Sequence, residues 1–99
     1  MATLIQDNTL VLFQGDSITD SSRFRQDSAS LGDGYALITA AWFSALYPTK
    51  KVSFLNRGIG GDRVINLLSR WEEDCIALAP KTLSVLIGVN DMWRRYDSN

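Results

Sequence analysis

The sequence predicts an α/β fold with a parallel sheet, whose elements follow one another in the order β-α-β-α-β. Three short apolar runs of strand length alternate with two segments of helical pattern. This alternation is typical of βαβ units, in which a helical crossover joins two parallel strands. The first run is continuously apolar, which suits a strand that is covered on both faces.

The strands are expected at three positions along the chain. The first, Thr9–Phe13, ends at Gln14 and Gly15, the second spans Val52–Leu55, and the third spans Thr82–Ile87. Three strands and two helices leave an apolar strand edge and part of a sheet face uncovered. We therefore expect an incomplete domain, completed by elements that follow the last residue or come from another chain.

Two helices are expected between these strands. The first spans Tyr35–Tyr47, with Asp33 as its N-cap and Pro48 as its stop. The second follows the turn Gly58–Gly61 and ends at Pro80. Its apolar residues are Val64, Leu67, Leu68, Trp71, Cys75 and Leu78, and the charged residues expected to face solvent are Arg70, Glu72, Glu73 and Asp74.

The composition is that of one ordinary globular domain. With 10 basic and 11 acidic side chains in 99 residues the net charge is −1, which gives no basic footprint for nucleic acid or for an anionic membrane. We find no secretory signal and no apolar run of the ~20 residues needed to span a bilayer. The single cysteine, Cys75, cannot form an intrachain disulfide and indicates a reducing compartment. We therefore expect a soluble, cytoplasmic protein.

Three polar or glycine-rich turns follow the three predicted strands, at Gly15–Ser17, Gly58–Asp62 and Gly88–Asp91. Because the carboxyl ends of parallel strands meet at one edge of a sheet, these turns are expected to share a ligand site. Ser17 lies where the chain turns sharply into a helical turn, with backbone N–H groups directed at its hydroxyl. This suits a nucleophile whose oxyanion is stabilised, although G-D-S alone is also common in solvated turns.

The other two turns carry hydrogen-bond donors. Asn56-Arg-Gly-Ile-Gly-Gly-Asp62 leaves N–H groups for an anion or an oxyanion. A dinucleotide site is disfavoured there, because Arg63 occupies the third glycine position of the fingerprint and the acidic ribose ligand is lacking. Asn90 offers two amide N–H donors without proton transfer, and its alternative role is an Asx-turn.

Together, G-D-S-I-T-D, N-R-G-I-G-G-D and G-V-N-D resemble three of the four blocks of the SGNH hydrolases, also called GDSL esterases and lipases. The resemblance extends from about Leu10 to Tyr96. It implies a three-layer α/β/α fold with a flavodoxin-like parallel sheet. By motif position, Ser17 resembles the nucleophile, and its N–H, the N–H of Gly61 and the side-chain amide of Asn90 would form the oxyanion hole.

The resemblance also assigns supporting and missing groups. Asp16, Asp62 and Asp91 would brace the three turns, and no metal or cofactor is implied. The fourth block, Asp-x-x-His, supplies the general base, and these 99 residues contain no histidine. An aspartate with an ordinary pKa of about 3.9 is a weak base toward a serine hydroxyl. Residues 1–99 are therefore expected to be the N-terminal part of a single SGNH domain and inactive without the C-terminal half or a complementary chain.

The substrate is suggested by further likeness. Trp71–Asp74 and Gly88–Asp97 resemble intracellular carbohydrate esterases that deacetylate xylan or xylo-oligosaccharides. The implied function is a serine ester hydrolase that removes small acyl groups from carbohydrate through an acyl-enzyme. Candidate substrate contacts are Arg57 and Trp93, with Arg94, Arg95 and Tyr96, and the alternative for the aromatic residues among them is packing against the absent half. Trp42 and Trp71 are expected in the core.

Two alternatives stay open at the level of sequence. A lysophospholipase or thioesterase would keep the same fold and nucleophile and change the acyl group. A truncated, non-catalytic fragment would act only as a structural partner or a binding module. A homo-oligomer is compatible with each of these interpretations.

Overall fold

The computed structural model describes residues 3–97, with side chains described as far as residue 93. The elements, in chain order, are β1 (Thr9–Gly15), α1 (Ser17–Asp20), α2 (Tyr35–Leu46), β2 (Val52–Asn56), α3 (Val64–Ser69), α4 (Trp71–Asp74), a 3₁₀ turn (Ile76–Leu78), β3 (Thr82–Leu86) and α5 (Val89–Asp97). Across residues 3–97, no helix combines the length and the apolar character needed to cross a membrane.

The predicted parallel sheet is present, and β1 is its central strand. Within the described residues, the strand order is β2-β1-β3, and both pairings are parallel. Phe13 pairs with Asn56 of β2, and Gly15 pairs with Leu86 of β3. The chain therefore leaves β1 to one side for β2 and later crosses to the other side for β3. The carboxyl ends of β1 and β3 flank the point where the strand order reverses.

One face of the sheet is covered by α2. Val11 and Phe13 of β1 are buried with Ala36 of α2 in one apolar cluster. The ring of Phe13 meets Tyr35 edge-on at 5.7 Å and Phe54 of β2 at 6.4 Å. Because side chains alternate along a strand, Leu12 and Gln14 point to the opposite face.

The opposite face carries α3 and α4. Gln14 is fully buried there, and its Nε2 donates to the Asp74 carbonyl at 2.5 Å. Leu67 and Cys75 are buried, and burial raises the pKa of the Cys75 thiol. Helices on both faces form the three layers that the sequence predicts.

The second predicted helix is not continuous, which corrects the sequence-based expectation. It breaks at Arg70, whose backbone (φ −112°, ψ 11°) closes α3 and opens α4, and it ends in the 3₁₀ turn. At this break the Arg70 side chain turns toward the sheet, so its predicted exposure to solvent is wrong. Val64 and Leu68, assigned to the apolar face, are 52 % and 71 % exposed.

The ends of α2 and the two tryptophans that were expected in the core differ from or refine the predictions. Gly34, not Asp33, is the N-cap, and the Asp33 carboxylate instead accepts a hydrogen bond from Ser21 Oγ at 2.9 Å. Trp42 is 65 % exposed, because Ala36 and Ala40 form the buried side of the helix and Trp42 lies on the other side. Trp71 is half-buried. The α2 helix ends at Leu46, before Pro48, which is the predicted stop.

The β3 strand leaves apolar surface open to solvent. Leu83, Val85 and Leu86 are 38 %, 46 % and 45 % exposed. Val85 and Ile87 line a groove of about 290 Å³ together with residues of α3 and α4, namely Val64, Leu67, Leu68 and Trp71. The predicted uncovered edge and face are thus present in the described part of the chain.

Glycine at position 58 is required by close packing, and substitution tests this. A Cβ at Gly58 would lie 2.5 Å from the Asp20 nitrogen and 2.8 Å from Thr19 Cβ, whereas at Gly60 the nearest atoms are 3.6 Å or more away. We predict that Gly58→Ala lowers the free energy of unfolding by about 1–3 kcal/mol. Gly60→Ala, two residues along the same loop, is the matched control and should change it much less. Urea unfolding of the full-length gene product measures both, and equal losses would contradict the packing argument.

Candidate functional site

Ser17 lies at the carboxyl end of the central strand, on the edge where the three predicted turns meet. It begins α1, and it is exposed, whereas the preceding Asp16 is 1 % exposed. Asp16 caps α1 through its Oδ1, which accepts from the Ile18 N–H at 3.0 Å. The cap fixes the turn so that the Ser17 side chain faces outward. Glycine is required at position 15 by close packing, because a Cβ there would clash with the Leu86 carbonyl of β3 and with the Thr19 side chain.

The turn after β2 passes directly beside Ser17. The Ile59 N–H donates to the Gly15 carbonyl at 3.1 Å, which ties the turn to the end of β1. A Cβ on Gly60 would lie 3.7 Å from Ser17 Cβ, so the backbone of this loop is next to Ser17. Gly61 follows with φ +86° in open space and is exposed. The positive φ explains glycine at this position.

Asn90, in the first turn of α5, is hydrogen-bonded to the same loop. Its Nδ2 donates to the Asp62 carbonyl at 2.9 Å, and the side chain is half-buried. The next residue, Asp91, accepts from the Val64 N–H at 3.0 Å and forms an ion pair with Arg63 at 3.4 Å. The structure thus links the turns after β2 and β3.

Asp20 is part of this site, although the sequence reasoning did not single it out. The residue is 7 % exposed, and its carboxylate accepts hydrogen bonds from the Gly60 N–H at 2.9 Å and from Arg25 Nη2 at 2.5 Å. Arg23 lies at 3.8 Å on the other oxygen and donates to the Gly58 carbonyl at 2.7 Å. The spacing in G-D-S-I-T-D was a usable signal, because the aspartate three residues after a helix-starting serine lies on the same helical turn.

The charge state of Asp20 is set by opposing effects. Burial raises the pKa of Asp20, but the hydrogen bonds from Arg25 and from the Gly60 N–H, with the charges of Arg25 and Arg23, outweigh it and leave the pKa below its usual 3.8. Burial in turn lowers the pKa of Arg23, against the charge of Asp20 that raises it. Asp20 is therefore a carboxylate at neutral pH that holds the loop next to Ser17.

Arg70 also borders this site, although the sequence reasoning placed it on the solvent-facing side of the second helix. Its side chain is 13 % exposed and forms an ion pair with Asp62 at 2.8 Å and another with Asp74 at 3.1 Å. Its Nη1 also donates to Gln14 Oε1 at 3.0 Å. A helical-period pattern cannot distinguish a solvated arginine from one that is buried among acceptors, because both are charged residues on the polar side of the pattern.

The predicted substrate contacts are less closely tied to Ser17. The Arg57 guanidinium donates to the backbone carbonyls of Ser28 and Asn56, each at 3.1 Å. Trp93 is 65 % exposed on α5. The side chains of Arg94, Arg95 and Tyr96 lie outside the described part of the structure.

Comparison with known proteins agrees with this geometry. A model of the GDSL-like lipase/acylhydrolase family matches residues 13–99, which include Ser17, Gly61 and Asn90. The chain belongs to this family. Membership confirms the resemblance drawn from the three sequence blocks.

Relatives of the family extend the match to the fold. An acetylxylan esterase of Geobacillus stearothermophilus is 44 % identical over 91 residues, which cover 88 % of this chain and 42 % of that protein. A crystal structure of an acetylxylan esterase from the same organism superposes with a TM-score of 0.90 at 41 % identity, covering 96 % of this chain and 45 % of that one. A GDSL-like lipase of Parabacteroides merdae superposes with a TM-score of 0.87 at 42 % identity, covering 91 % and 44 %. These matches confirm the predicted α/β fold of the SGNH hydrolases, and the chain spans less than half the length of these relatives.

Asp20 gives a prediction for the acid dependence of stability. Because its pKa in the folded state is below the ordinary value, it stabilises the fold above pH ~4, and this contribution is lost as the pH falls through the folded-state pKa. Asp20→Asn is therefore expected to lower the free energy of unfolding at pH 7, and the difference from the wild type should narrow as the pH falls below about 4. Denaturant unfolding across pH 2–7 of the full-length gene product measures this.

The matched control is Glu73→Gln on the exposed side of α4. Its stability curve should run parallel to that of the wild type. A difference between Asp20→Asn and the wild type that stays constant down to acid pH would contradict the assignment of Asp20 as a carboxylate that stabilises the fold.

Proposed function

We propose that the protein to which these residues belong is a serine ester hydrolase that removes acetyl groups from carbohydrate, specifically from acetylated xylan or xylo-oligosaccharides. The observation that carries this proposal is that Ser17 is exposed and lies beside the backbone of Gly60. Two residues further along the Gly60 loop, the Asp62 carbonyl accepts a hydrogen bond from Asn90. A nucleophile beside two sources of N–H donors is what acyl transfer requires. The acetylxylan esterase relative supports the choice of acyl group and substrate.

In the proposed reaction, Ser17 Oγ attacks the ester carbonyl and gives up its proton to a base. The carbonyl oxygen becomes an oxyanion, which accepts hydrogen bonds from the N–H groups of Ser17 and Gly61 and from Asn90. An asparagine amide carries two hydrogens, so Asn90 can bind the Asp62 carbonyl with one and the oxyanion with the other. The alcohol of the sugar leaves with a proton, and water then releases acetate from the acyl-enzyme.

The base is proposed to come from residues outside these 99. The chain contains no histidine, and the three candidate carboxylates are engaged as structural acceptors. Asp16 caps α1, Asp62 is paired with Arg70, and Asp91 accepts from the Val64 N–H. Their contacts support the bracing roles that the family resemblance implies. Residues 1–99 alone are therefore expected to be inactive and to need the Asp-x-x-His segment.

The relatives support a base of this kind. Three structures of the Geobacillus acetylxylan esterase are described as catalytic mutants, and the residues replaced by alanine are a serine, an aspartate and a histidine. Arg57 and Trp93 remain proposed sugar contacts, because a guanidinium and an exposed indole suit hydroxyl groups and a flat sugar face.

The nucleophile is tested by labelling and substitution. A fluorophosphonate probe is expected to label Ser17 in the full-length gene product, and Ser17→Ala should abolish both labelling and hydrolysis of acetylated xylo-oligosaccharides, because the acyl-enzyme can no longer form. Ser53→Ala, at an exposed position on β2, is the control and should leave both unchanged. Mass spectrometry identifies the labelled residue. Hydrolysis of long acyl chains in preference to acetyl would instead favour a lysophospholipase or thioesterase.

Asn90 tests the oxyanion hole. We expect Asn90→Ala to lower kcat by about 10²–10³-fold, because removal of one oxyanion donor has a cost of this size. Met92→Ala, at a 65 % exposed position of the same helix, is the control. Steady-state kinetics on an acetyl ester measures both variants. A kcat for Asn90→Ala within threefold of the wild type would contradict the assignment.

A further inference from the structure

Arg70 joins the structural parts that carry the proposed oxyanion donors. Its Nε donates to Asp62 Oδ2 at 2.8 Å, and its Nη1 donates to the Arg57 carbonyl at 2.8 Å and to Gln14 Oε1 at 3.0 Å. Its Nη2 donates to the Gly15 carbonyl at 3.3 Å. One planar group therefore contacts the end of β1 and both ends of the turn after β2.

Each proposed donor lies within two residues of a group that Arg70 contacts, or is hydrogen-bonded to the residue that carries one. The Ser17 N–H is two residues beyond Gly15. The N–H of Gly61 precedes Asp62, whose carboxylate is paired with Arg70. The Asn90 amide donates to the carbonyl of that same Asp62 at 2.9 Å. The relative positions of the donors thus depend on a shared contact behind the site.

The charge balance around Arg70 suits a fixed position. The Asp62 side chain is 13 % exposed, like Arg70 itself, and Asp74 adds a second carboxylate at 3.1 Å from α4. A guanidinium presents its donors in one rigid plane, so several acceptors fix its orientation. The backbone carbonyls of Gly15 and Arg57 are held by the same plane.

We propose that Arg70 is a positioning residue for the oxyanion hole, acting through Asp62 and the two backbone carbonyls and not by touching the substrate. The proposal rests on the proposed function of the site. Misplacement of a donor by about 1 Å can cost on the order of 10²-fold in rate. Loss of Arg70 should therefore affect the reacting state more than substrate binding.

Lysine cannot replace this arginine. An ammonium group is a compact charge with three donors on a flexible stem, and it cannot bind the planar set of acceptors that Arg70 contacts. We expect Arg70→Lys to lower kcat by about 10–10²-fold, with KM changed by less than about threefold. Asp62→Asn keeps an oxygen acceptor but removes its charge, and it should lower kcat less than Arg70→Lys does.

The experiment uses the full-length gene product and steady-state hydrolysis of an acetyl ester, with thermal unfolding as the check on folding. Lys81→Gln, at an exposed position before β3, is the control for the positive charge that Arg70→Ala removes, and it should keep the wild-type kcat. For Arg70→Ala, added guanidinium chloride should restore part of kcat, whereas the same concentration of sodium chloride should not. Such rescue would not follow from a general loss of stability.

A folded Arg70→Lys variant with wild-type kcat would overturn the proposal. So would a variant in which kcat falls and KM rises by the same factor, if guanidinium chloride does not rescue Arg70→Ala. If Arg70→Lys does not fold, Asp62→Asn decides, and an unchanged kcat in that variant overturns it. A wild-type protein that is folded but hydrolyses no acetyl ester and takes up no fluorophosphonate would defeat the proposed function instead. The two failures are therefore distinguishable.

Discussion

The site depends on the parallel pairing of β1 with strands on both of its sides. Because β1 is central, its carboxyl end is flanked by the turn after β2 and by the turn after β3. The Ile59 N–H to Gly15 carbonyl bond fixes the first of these turns against the strand end at 3.1 Å. The pairing of Gly15 with Leu86 fixes the start of the second turn, the one after β3. The two strands lie so close there that position 15 has no space for a side chain. Together with the Asp16 cap of α1, these two contacts fix the chain segment from which the Ser17 side chain faces outward.

Just below this edge the protein buries a group of polar residues beside its apolar core. Gln14, Asn56, Asp16, Thr19 and Asp20 are all buried. Buried polar groups destabilise a fold unless their hydrogen bonds are satisfied, and here each has a partner. Asn56, for example, donates to the Thr19 carbonyl at 2.6 Å and accepts from the Gly58 N–H at 2.8 Å. A network of this kind holds the backbone at the site more specifically than apolar packing, because each bond requires one direction and one distance.

The fold class, the three strands and the three blocks around Ser17, Gly61 and Asn90 could be predicted from sequence, because apolar runs and glycine-rich turns are local signals. The order β2-β1-β3 follows only from the family resemblance, which implies a flavodoxin-like sheet, since local patterns do not show which distant segments pair. For the same reason the inward turn of Arg70 and the outward position of Trp42 were missed. Both depend on which acceptors or apolar surfaces lie across from the helix, and periodicity along one helix carries no information about them.

The single thiol of the chain has a practical consequence. Cys75 is 5 % exposed, directly before the 3₁₀ turn, and burial raises its pKa, so in the closed structure little reactive thiolate is available to reagents in solution. Alkylation must then wait for α4 and the 3₁₀ turn to separate from the sheet. The rate of alkylation under mild conditions therefore reports how often this segment opens. The preceding residue, Asp74, accepts hydrogen bonds from both Gln14 and Arg70. The same rate therefore also reports how often the contacts between α4 and the sheet behind the site break.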